Sequence, residues 1–178
     1  AGQTVTLLTL TRRHRAYEGL SPRAEEGLRD VGCAAALAAV GPWVERVSHW
    51  NGETRTINGE TLIERRSFDA ALLDDARAAG VDVRIGAVTE VEAADAGWRV
   101  SYRAEDGSAG EVEADFLVEA RGRRAPAGSA GRSHGPASVA LVGFWQHRQA
   151  AGSVAPFADG WAWFAAPGDG VAALQVMV

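Results

Sequence analysis

The feature that most constrains the fold is a short apolar run that leads directly into glycine and arginine, in residues 114–124 (ADFLVEARGRR). Residues 116–118 predict a strand buried on both faces, because such strands carry continuous rather than alternating apolar residues. In an open α/β sheet, ligands bind beyond the carboxyl ends of the strands, and a glycine there lets the backbone approach them closely. The stretch therefore predicts an anion-binding sheet edge. The alternative is a solvated turn that carries Arg121, Arg123 and Arg124.

Length and composition favour a small protein that acts in the cytoplasm. The chain has 178 residues, enough for one ordinary domain or most of two small ones, and no apolar run long enough to span a membrane. No signal peptide is visible, so we expect a soluble, cytoplasmic protein. The net charge of -5 argues against nucleic acid and anionic membranes as partners.

Cysteine and histidine indicate neither a disulfide nor a metal site. The single cysteine, Cys33, lies in an alanine-rich stretch and is expected to be a small core residue. The four histidines are scattered, with no spacing that places two on one helical face or strand. All 18 basic residues are arginine. The chain begins without methionine and ends inside an apolar run, so we expect it to be a piece of a longer protein.

The first part of the chain predicts a strand, a basic loop and two helical segments. Residues 4–10 (TVTLLTL) are rich in β-branched residues and predict a buried strand. The loop that follows carries Arg12, which could contact phosphate or ribose, although a solvated basic loop explains it equally well. Ser21 and Pro22 begin a helix that presents Ala24, Leu28 and Val31 on one face before Gly32 ends it, and residues 33–40 predict a second short helical segment.

The next part predicts strands followed by a well-defined helix. Residues 43–50 and 53–57 predict a hairpin about Asn51-Gly52, and Asn58-Gly59 predicts a further turn. His49 and Trp50 lie here, and such a sheet could wall a substrate cavity, although aromatic residues on a sheet are more often core. Ser67 is expected to cap a helix over residues 68–80, in which Phe68, Leu72 and Ala76 are buried, Asp69 and Asp74 face outwards and Gly80 ends the helix.

The last part predicts mostly antiparallel strands. Residues 81–85 and 87–93 predict two strands, and a turn at Asp106-Gly107 joins a strand carrying Trp98, Val100 and Tyr102 to the buried run of residues 116–118. Two stretches follow a linker at 125–136: the strand of residues 138–147, and after a loop the hairpin of residues 160–178. We therefore expect an α/β sheet with a β-meander, together with a second layer of antiparallel strands.

The order of these pieces resembles the FAD-dependent monooxygenases of the p-hydroxybenzoate hydroxylase fold, with geranylgeranyl reductases and flavin-dependent halogenases as near relations. The matching stretches are TVTLLTL, EGLSPRAEEGLRDVG, ERRSFDAALLDDARAAGVDVRIGAVTEV, ADFLVEARGRRAPAG and GWAWFAAPGDGVAALQV. Within this superfamily, EGLSPRAEEGLRDVGC and RVSHWNG most resemble the monooxygenases that hydroxylate a peptide-bound tryptophan in the maturation of quinohemoprotein amine dehydrogenase. The resemblance implies a partial Rossmann-like FAD-binding domain in residues 1–41 and 66–136. It implies antiparallel substrate-domain strands in residues 42–65 and 137–178.

The resemblance also assigns site residues. It places Arg66 near the flavin or its phosphates, Val88 beside the adenine, and Ala120 and Gly122 in the turn next to the cofactor. The alternatives are a surface arginine at a helix start, a core valine and a plain turn. The family's glycine-rich GxGxxG motif is expected before Ala1 and its later Gly-Asp after Val178, and Thr9 stands where the family usually has an acidic residue for the ribose.

The implied function is hydroxylation of an electron-rich aromatic substrate by O₂ through a flavin hydroperoxide, with peptide-bound tryptophan as the specific candidate. The implied cofactor is FAD, and the electrons come from a reduced nicotinamide or a flavin reductase. The chain has no lysine, the residue a halogenase needs for its hypohalous species. Two alternatives stay open: a flavoprotein reductase like geranylgeranyl reductase, and a non-catalytic fragment without the glycine-rich FAD motif.

Overall fold

The structure is a computed structural model that describes residues 2–122 and 135–178. Its elements, in chain order, are β1 (Thr6–Thr9), β2 (Tyr17–Leu20), α1 (Pro22–Asp30), α2 (Ala34–Ala38), β3 (Trp43–Trp50), β4 (Glu53–Glu64), α3 (Arg65–Ala78), β5 (Asp82–Ala94), β6 (Gly97–Ala104), β7 (Ala109–Ala114), β8 (Ala140–His147), β9 (Ala151–Phe157), β10 (Gly160–Ala166) and β11 (Gly170–Met177). Mixed parallel and antiparallel pairing with helices confirms the predicted α/β (α+β) class.

The chain divides into two compact units. The first comprises Ala1–Thr11 and Ala79–Pro136, and the second comprises Arg12–Ala78 and Ala137–Val178. This division differs from the expected boundaries because residues 12–41 and helix α3 fall in one compact unit with β3, β4 and β8 to β11. The assignment of either unit to cofactor or substrate binding stays a prediction.

The first unit is a four-stranded sheet in the order β1-β5-β6-β7. Strands β1 and β5 are parallel, with Thr6 opposite Asp82, whereas β5, β6 and β7 form the predicted antiparallel meander. The ladder between β5 and β6 shifts register between Val88 and Glu90, which is a β-bulge. The sequence predicted two strands here, and this was wrong because the bulge bends one continuous strand instead of ending it.

The second unit is a seven-stranded sheet in the order β2-β4-β3-β9-β10-β11-β8. Its pairs are antiparallel except for β3 and β9, which run parallel. Successive side chains of a strand point to opposite faces, so the register assigns each residue to one of two faces. One face, called here the inner face, carries the core cluster of Tyr17, Val44, Leu62, Trp163, Ala165 and Ala173.

Helices α1, α2 and α3 cover part of the opposite face of this sheet. Ile63 follows Leu62 on β4 and therefore points away from the inner face, where it packs with Ala36 and Phe68. Leu28, Cys33 and Leu72 pack around this second cluster while staying partly exposed. Burial of these apolar side chains is what holds the short helices on the sheet.

The predicted start of α1 is confirmed, but its predicted apolar face is only partly correct. The Ser21 side chain accepts a hydrogen bond from the Ala24 N–H at 3.2 Å, and Pro22 is the first helical residue. Leu28 packs against the core, whereas Val31 is 75% exposed. The helix ends at Asp30, so Val31 lies beyond the last residue to which the helical period applies.

The apolar run that predicted a buried strand does not form one. Strand β7 ends at Ala114, no described strand pairs with residues 116–118, and Phe116 is 80% exposed. An apolar run becomes a doubly buried strand only when neighbouring strands and layers cover it, and no described residue does so here.

Two further predictions along the second sheet were wrong. Asn58 and Gly59 lie inside β4, where the pairing with β3 shifts register between Arg46 and Val47, so the predicted turn is a β-bulge. Residues 151–157, predicted as a loop, form β9. The glycine, serine and proline of this stretch are typical of loops, but pairing with the distant β3 and with the following β10 determines its structure.

Candidate functional site

The start of helix α3 is closed by an acidic side chain. The helix begins at Arg65, and the Glu64 carboxylate accepts hydrogen bonds from the backbone N–H of Arg66 at 3.3 Å and of Ser67 at 3.1 Å. Glu64 therefore caps the helix in place of Ser67, whose predicted capping role was wrong. Burial alone would raise the pKa of Glu64, but these hydrogen bonds outweigh burial and lower the pKa. A phosphate could reach these two N–H groups only by displacing Glu64.

Asp69 lies one turn into α3 and links two arginines. It accepts a hydrogen bond from Arg12 Nε at 2.8 Å and another from Arg65 Nε at 2.8 Å, and Arg65 also contacts Glu18 at 2.6 Å. The predicted outward orientation of Asp69 was therefore wrong, whereas Asp74 is exposed as predicted. Burial acts to raise the pKa of Asp69, but the hydrogen bonds from Arg65 and Arg12 outweigh it and lower the pKa.

The two arginines expected near the cofactor differ in environment. Arg12 is half-buried and its Nε is committed to Asp69. Arg66 is exposed at the second residue of α3. Because Asp69 lies three residues after Arg66, the structure brings both arginines within one turn of the same helix start.

Val88 lies on β5, directly before the β-bulge of the first unit, and pairs in register with Tyr102. The Tyr102 ring lies across Gly86 and Gly110, where any side chain would collide with it. A shallow cleft of about 330 Å³ opens at this point, and its lining residues are Thr89, Ser101, Tyr102, Arg103, Ala109, Gly110 and Glu111. Val88 does not line this cleft itself, but its register partner Tyr102 and its neighbour Thr89 do.

Ala120 and Gly122 lie in the exposed segment after β7. Gly122 has a φ of +61°, in the left-handed region, and nothing lies within 4 Å of the position that a Cβ would take there. Between them, Arg121 pairs with Glu119, and this hydrogen bond raises the pKa of Arg121. The guanidinium expected to meet an anion is thus paired with a carboxylate. Arg123 and Arg124 lie outside the described residues.

His49 and Trp50 lie on β3, as expected, but they cannot face the same cavity. They are consecutive in one strand, so their side chains point to opposite faces of the sheet. Trp50 lies on the inner face, with its side chain 45% exposed. His49 lies on the opposite face, where its Nδ1 is 3.0 Å from the Thr54 hydroxyl.

The inner face also holds a polar group that the sequence did not reveal. The Trp163 indole N–H donates to Glu60 at 3.1 Å, and Arg46 contacts the same carboxylate at 3.4 Å. Glu60 is only 9% exposed, and a side chain at Gly19 would overlap its carboxylate. The signal was present in the sequence, since Glu60 leads directly into the apolar Leu62 and Ile63 through Thr61, but the turn assigned to Asn58-Gly59 hid it.

Among residues 2–122 and 135–178, no cluster of three or more histidine, cysteine or acidic side chains has the arrangement needed to hold a metal ion. In the same part of the chain, no helix combines the length and the apolar character needed to cross a membrane.

The chain is similar to solved structures of flavin-dependent enzymes. It is 44% identical to the peptidyl tryptophan dihydroxylase QhpG, essential for tryptophylquinone cofactor biogenesis, with a TM-score of 0.83 over 99% of this chain and 40% of that one. It is 25% identical to the myxobacterial chondrochloren halogenase CndH, an FAD-dependent halogenase, with a TM-score of 0.73 over 99% of this chain and 47% of that one. The flavin-dependent brominase Bmp2 shares the fold at 19% identity and a TM-score of 0.75, over 99% of this chain and 50% of that one.

No protein-family model and no curated protein sequence matches the chain. The chain spans about two fifths to half the length of the solved structures named above. The two-sheet fold and the 44% identity over 99% of its residues nevertheless agree with the likeness seen in the sequence. The resemblance of this chain to the superfamily of flavin-dependent monooxygenases and halogenases is therefore confirmed.

Proposed function

We propose that the protein carrying this chain is an FAD-dependent monooxygenase that hydroxylates an electron-rich aromatic substrate, and that this substrate is a tryptophan side chain within a peptide. The observation that carries the proposal is the 44% identity to a peptidyl tryptophan dihydroxylase over 99% of the chain. The chain shares its fold with the brominase Bmp2 at 19% identity, whereas it shares both the fold and 44% of its aligned residues with QhpG. The partners are therefore an aromatic peptide, O₂, and a reduced nicotinamide that acts directly or through a flavin reductase.

The described residues fit FAD binding through side chains and turn backbone better than through the start of helix α3. At Gly122 nothing lies within 4 Å of the position that a Cβ would take, which leaves room for a ligand, and Arg66 offers an exposed guanidinium, which binds phosphate well. The N-terminal N–H groups of α3 are less suited, because Glu64 already occupies them. Arg12, Arg66, Val88, Ala120 and Gly122 would therefore contact the cofactor through side chains and turn backbone. When bound, FAD supplies the activation of O₂.

For the substrate, the geometry favours Trp50 over His49. Trp50 presents a half-exposed indole on the inner face, and an aromatic side chain is a suitable wall for an aromatic substrate. His49 points the other way and contacts Thr54. The role of this chain in the reaction is to bind and orient the tryptophan, while one oxygen atom of O₂ enters the substrate and the other leaves as water.

The proposal is tested by incubating the protein with FAD, reduced nicotinamide, a flavin reductase, isotopically labelled O₂ and a tryptophan-containing peptide. Mass spectrometry should show labelled oxygen on the tryptophan residue, and a matched peptide with leucine in place of tryptophan should gain none. Label on neither peptide, with FAD bound and nicotinamide consumed, would show that the substrate belongs to another class.

The substrate contact is tested by two variants in the same assay. Trp50→Ala should raise the KM for the peptide by about tenfold, because a truncated aromatic contact commonly costs a binding site this much. His49→Ala should leave the KM within about twofold, as expected for a surface contact. Equal effects of the two substitutions would contradict the assignment of the substrate to the inner face.

A further inference from the structure

The two edge strands of the seven-stranded sheet meet through their side chains. Strands β2 and β8 stand at opposite ends of the strand order, six strand spacings apart. In a flat sheet this separation would be roughly 29 Å. The rings of Tyr17 on β2 and Phe144 on β8 nevertheless lie only 6.3 Å apart. The sheet of the second unit is therefore rolled. The part of its inner face near these two rings is enclosed, whereas Trp50 on the same face stays half-exposed.

Four side chains make this closure. The Arg15 guanidinium lies 5.2 Å from the centre of the Tyr17 ring and 6.0 Å from that of Phe144, within the range of cation-π attraction to both. Arg15 also donates to the Tyr17 hydroxyl at 2.6 Å, and this hydroxyl donates to Asp169 at 3.3 Å. Burial raises the pKa of Tyr17, so the hydroxyl keeps the proton that it donates.

The closure has no backbone component in the described part of the chain, because no ladder joins β2 to β8 there. Strand β2 has four residues and pairs only with β4, and β8 pairs only with β11. All but one residue of β8 are exposed. On β2 the only buried residue is Tyr17, which belongs to the core cluster of the inner face. Edge strands with so few buried residues are the parts of a sheet that open most easily.

One buried nitrogen of Arg15 destabilises the closed arrangement. Arg15 Nε is buried and has no hydrogen-bond partner among the described residues. A buried donor without a partner loses its hydration and gains nothing in return, so it destabilises the closed form. Opening would return this nitrogen to water.

We propose that Arg15, Tyr17, Phe144 and Asp169 form a clasp that closes the rolled sheet and can release β2 and β8 while the central strands stay folded. Opening of the clasp admits water to the inner face, where Glu60 and Trp163 are buried. The closed clasp keeps their hydrogen bond dry and therefore strong. This inference concerns the sheet alone and does not depend on the proposed reaction.

Hydrogen–deuterium exchange read by mass spectrometry tests the clasp. Arg15→Met removes the guanidinium, and Tyr17→Phe keeps the ring but removes the hydroxyl. In Arg15→Met we expect exchange in β2 and β8 to rise about fivefold. Tyr17→Phe should also raise exchange in β2 and β8. In both variants, exchange in β9 and β10 should stay unchanged. The control is Arg99→Met, which removes an arginine that pairs with Glu113 in the first unit. This control should leave exchange throughout the second unit unchanged.

An equal rise in β9 and β10 would show general destabilisation and overturn the proposal, as would unchanged exchange in β2 and β8. If Arg15→Met does not fold, the wild-type protein in low concentrations of urea provides the test. Strands β2 and β8 should then open together, before β9 and β10. Independent opening of β2 and β8, or opening of all strands at once, would overturn the proposal.

Discussion

At the scale of single residues, Glu60 shows how much can depend on one buried carboxylate. It accepts from the Trp163 indole and contacts Arg46, in the enclosed part of the second sheet. Glu60→Ala would leave the indole N–H buried without a partner. We expect the free energy of unfolding to fall by about 1 to 3 kcal/mol, measured by urea denaturation.

Glu60→Gln is the matched control, because its amide oxygen can still accept from the indole. It should cost clearly less than Glu60→Ala. Equal losses for the two variants would mean that the charge opposite Arg46, and not the hydrogen bond to Trp163, carries the contribution.

Asp69 gives a prediction about pH. Its pKa in the folded protein lies below the ordinary value of 3.8, so its contacts with Arg12 and Arg65 stabilise the fold above about pH 4. This contribution is lost as the pH falls through the lowered pKa. Asp69→Asn should therefore be less stable than wild type at pH 7, and the difference should shrink as the pH falls towards 3.

Urea midpoints at several pH values measure this convergence. Glu64 also has a lowered pKa and contributes to the acid sensitivity in the same range, so both proteins should still lose stability in acid. A difference between wild type and Asp69→Asn that stays constant from pH 7 to pH 3 would contradict the prediction.

At the scale of elements, α2 depends on a side chain from another helix. Asp75 of α3 accepts from the backbone N–H groups of Ala35 at 2.9 Å and Ala36 at 2.8 Å. A helix of five residues is not stable by itself, so this remote cap fixes it. Asp75→Ala should lower the free energy of unfolding by about 1 to 2 kcal/mol in a urea titration.

Asp74→Ala provides the comparison on the same helix. Asp74 is exposed and pairs only with Arg77 among the described residues, so its loss should cost no more than about 0.5 kcal/mol. A larger loss for Asp74→Ala than for Asp75→Ala would contradict the capping role of Asp75.

The elements also show which parts of the fold a sequence reveals. The start of α1 at Ser21-Pro22 and the end of α3 at Gly80, with φ of +84°, were predicted correctly because caps and turns depend on adjacent residues. Strand β9 was not predicted because it pairs with β3, far away in the chain. The bulge at Asn58-Gly59 was not predicted because it is a register shift inside the β3–β4 hairpin, and Asn-Gly is the usual signal of a turn.

The candidate site follows the same rule. The sequence indicated Trp50, but it did not show that Trp50 and His49 point to opposite faces, although the alternation along a single strand could have shown this. It gave no sign that Arg12 would bond Asp69, or that Tyr17 and Phe144 would meet, since these contacts exist only once the chain has folded.

At the scale of the whole molecule, the central claim is that the protein holds FAD and that residues of this chain contribute to the binding. The most direct measurement is a titration of the cofactor-free protein with FAD, followed by absorption and flavin fluorescence. We expect one FAD per chain, and a dissociation constant about tenfold larger for Arg66→Ala, because a charge-assisted hydrogen bond to phosphate is lost.

The matched control is Arg55→Ala, which removes an arginine that is 68% exposed on β4 and should leave FAD binding unchanged. Saturable binding that Arg66→Ala weakens and Arg55→Ala does not would support the claim. A folded protein that shows no bound flavin at any FAD concentration would contradict it.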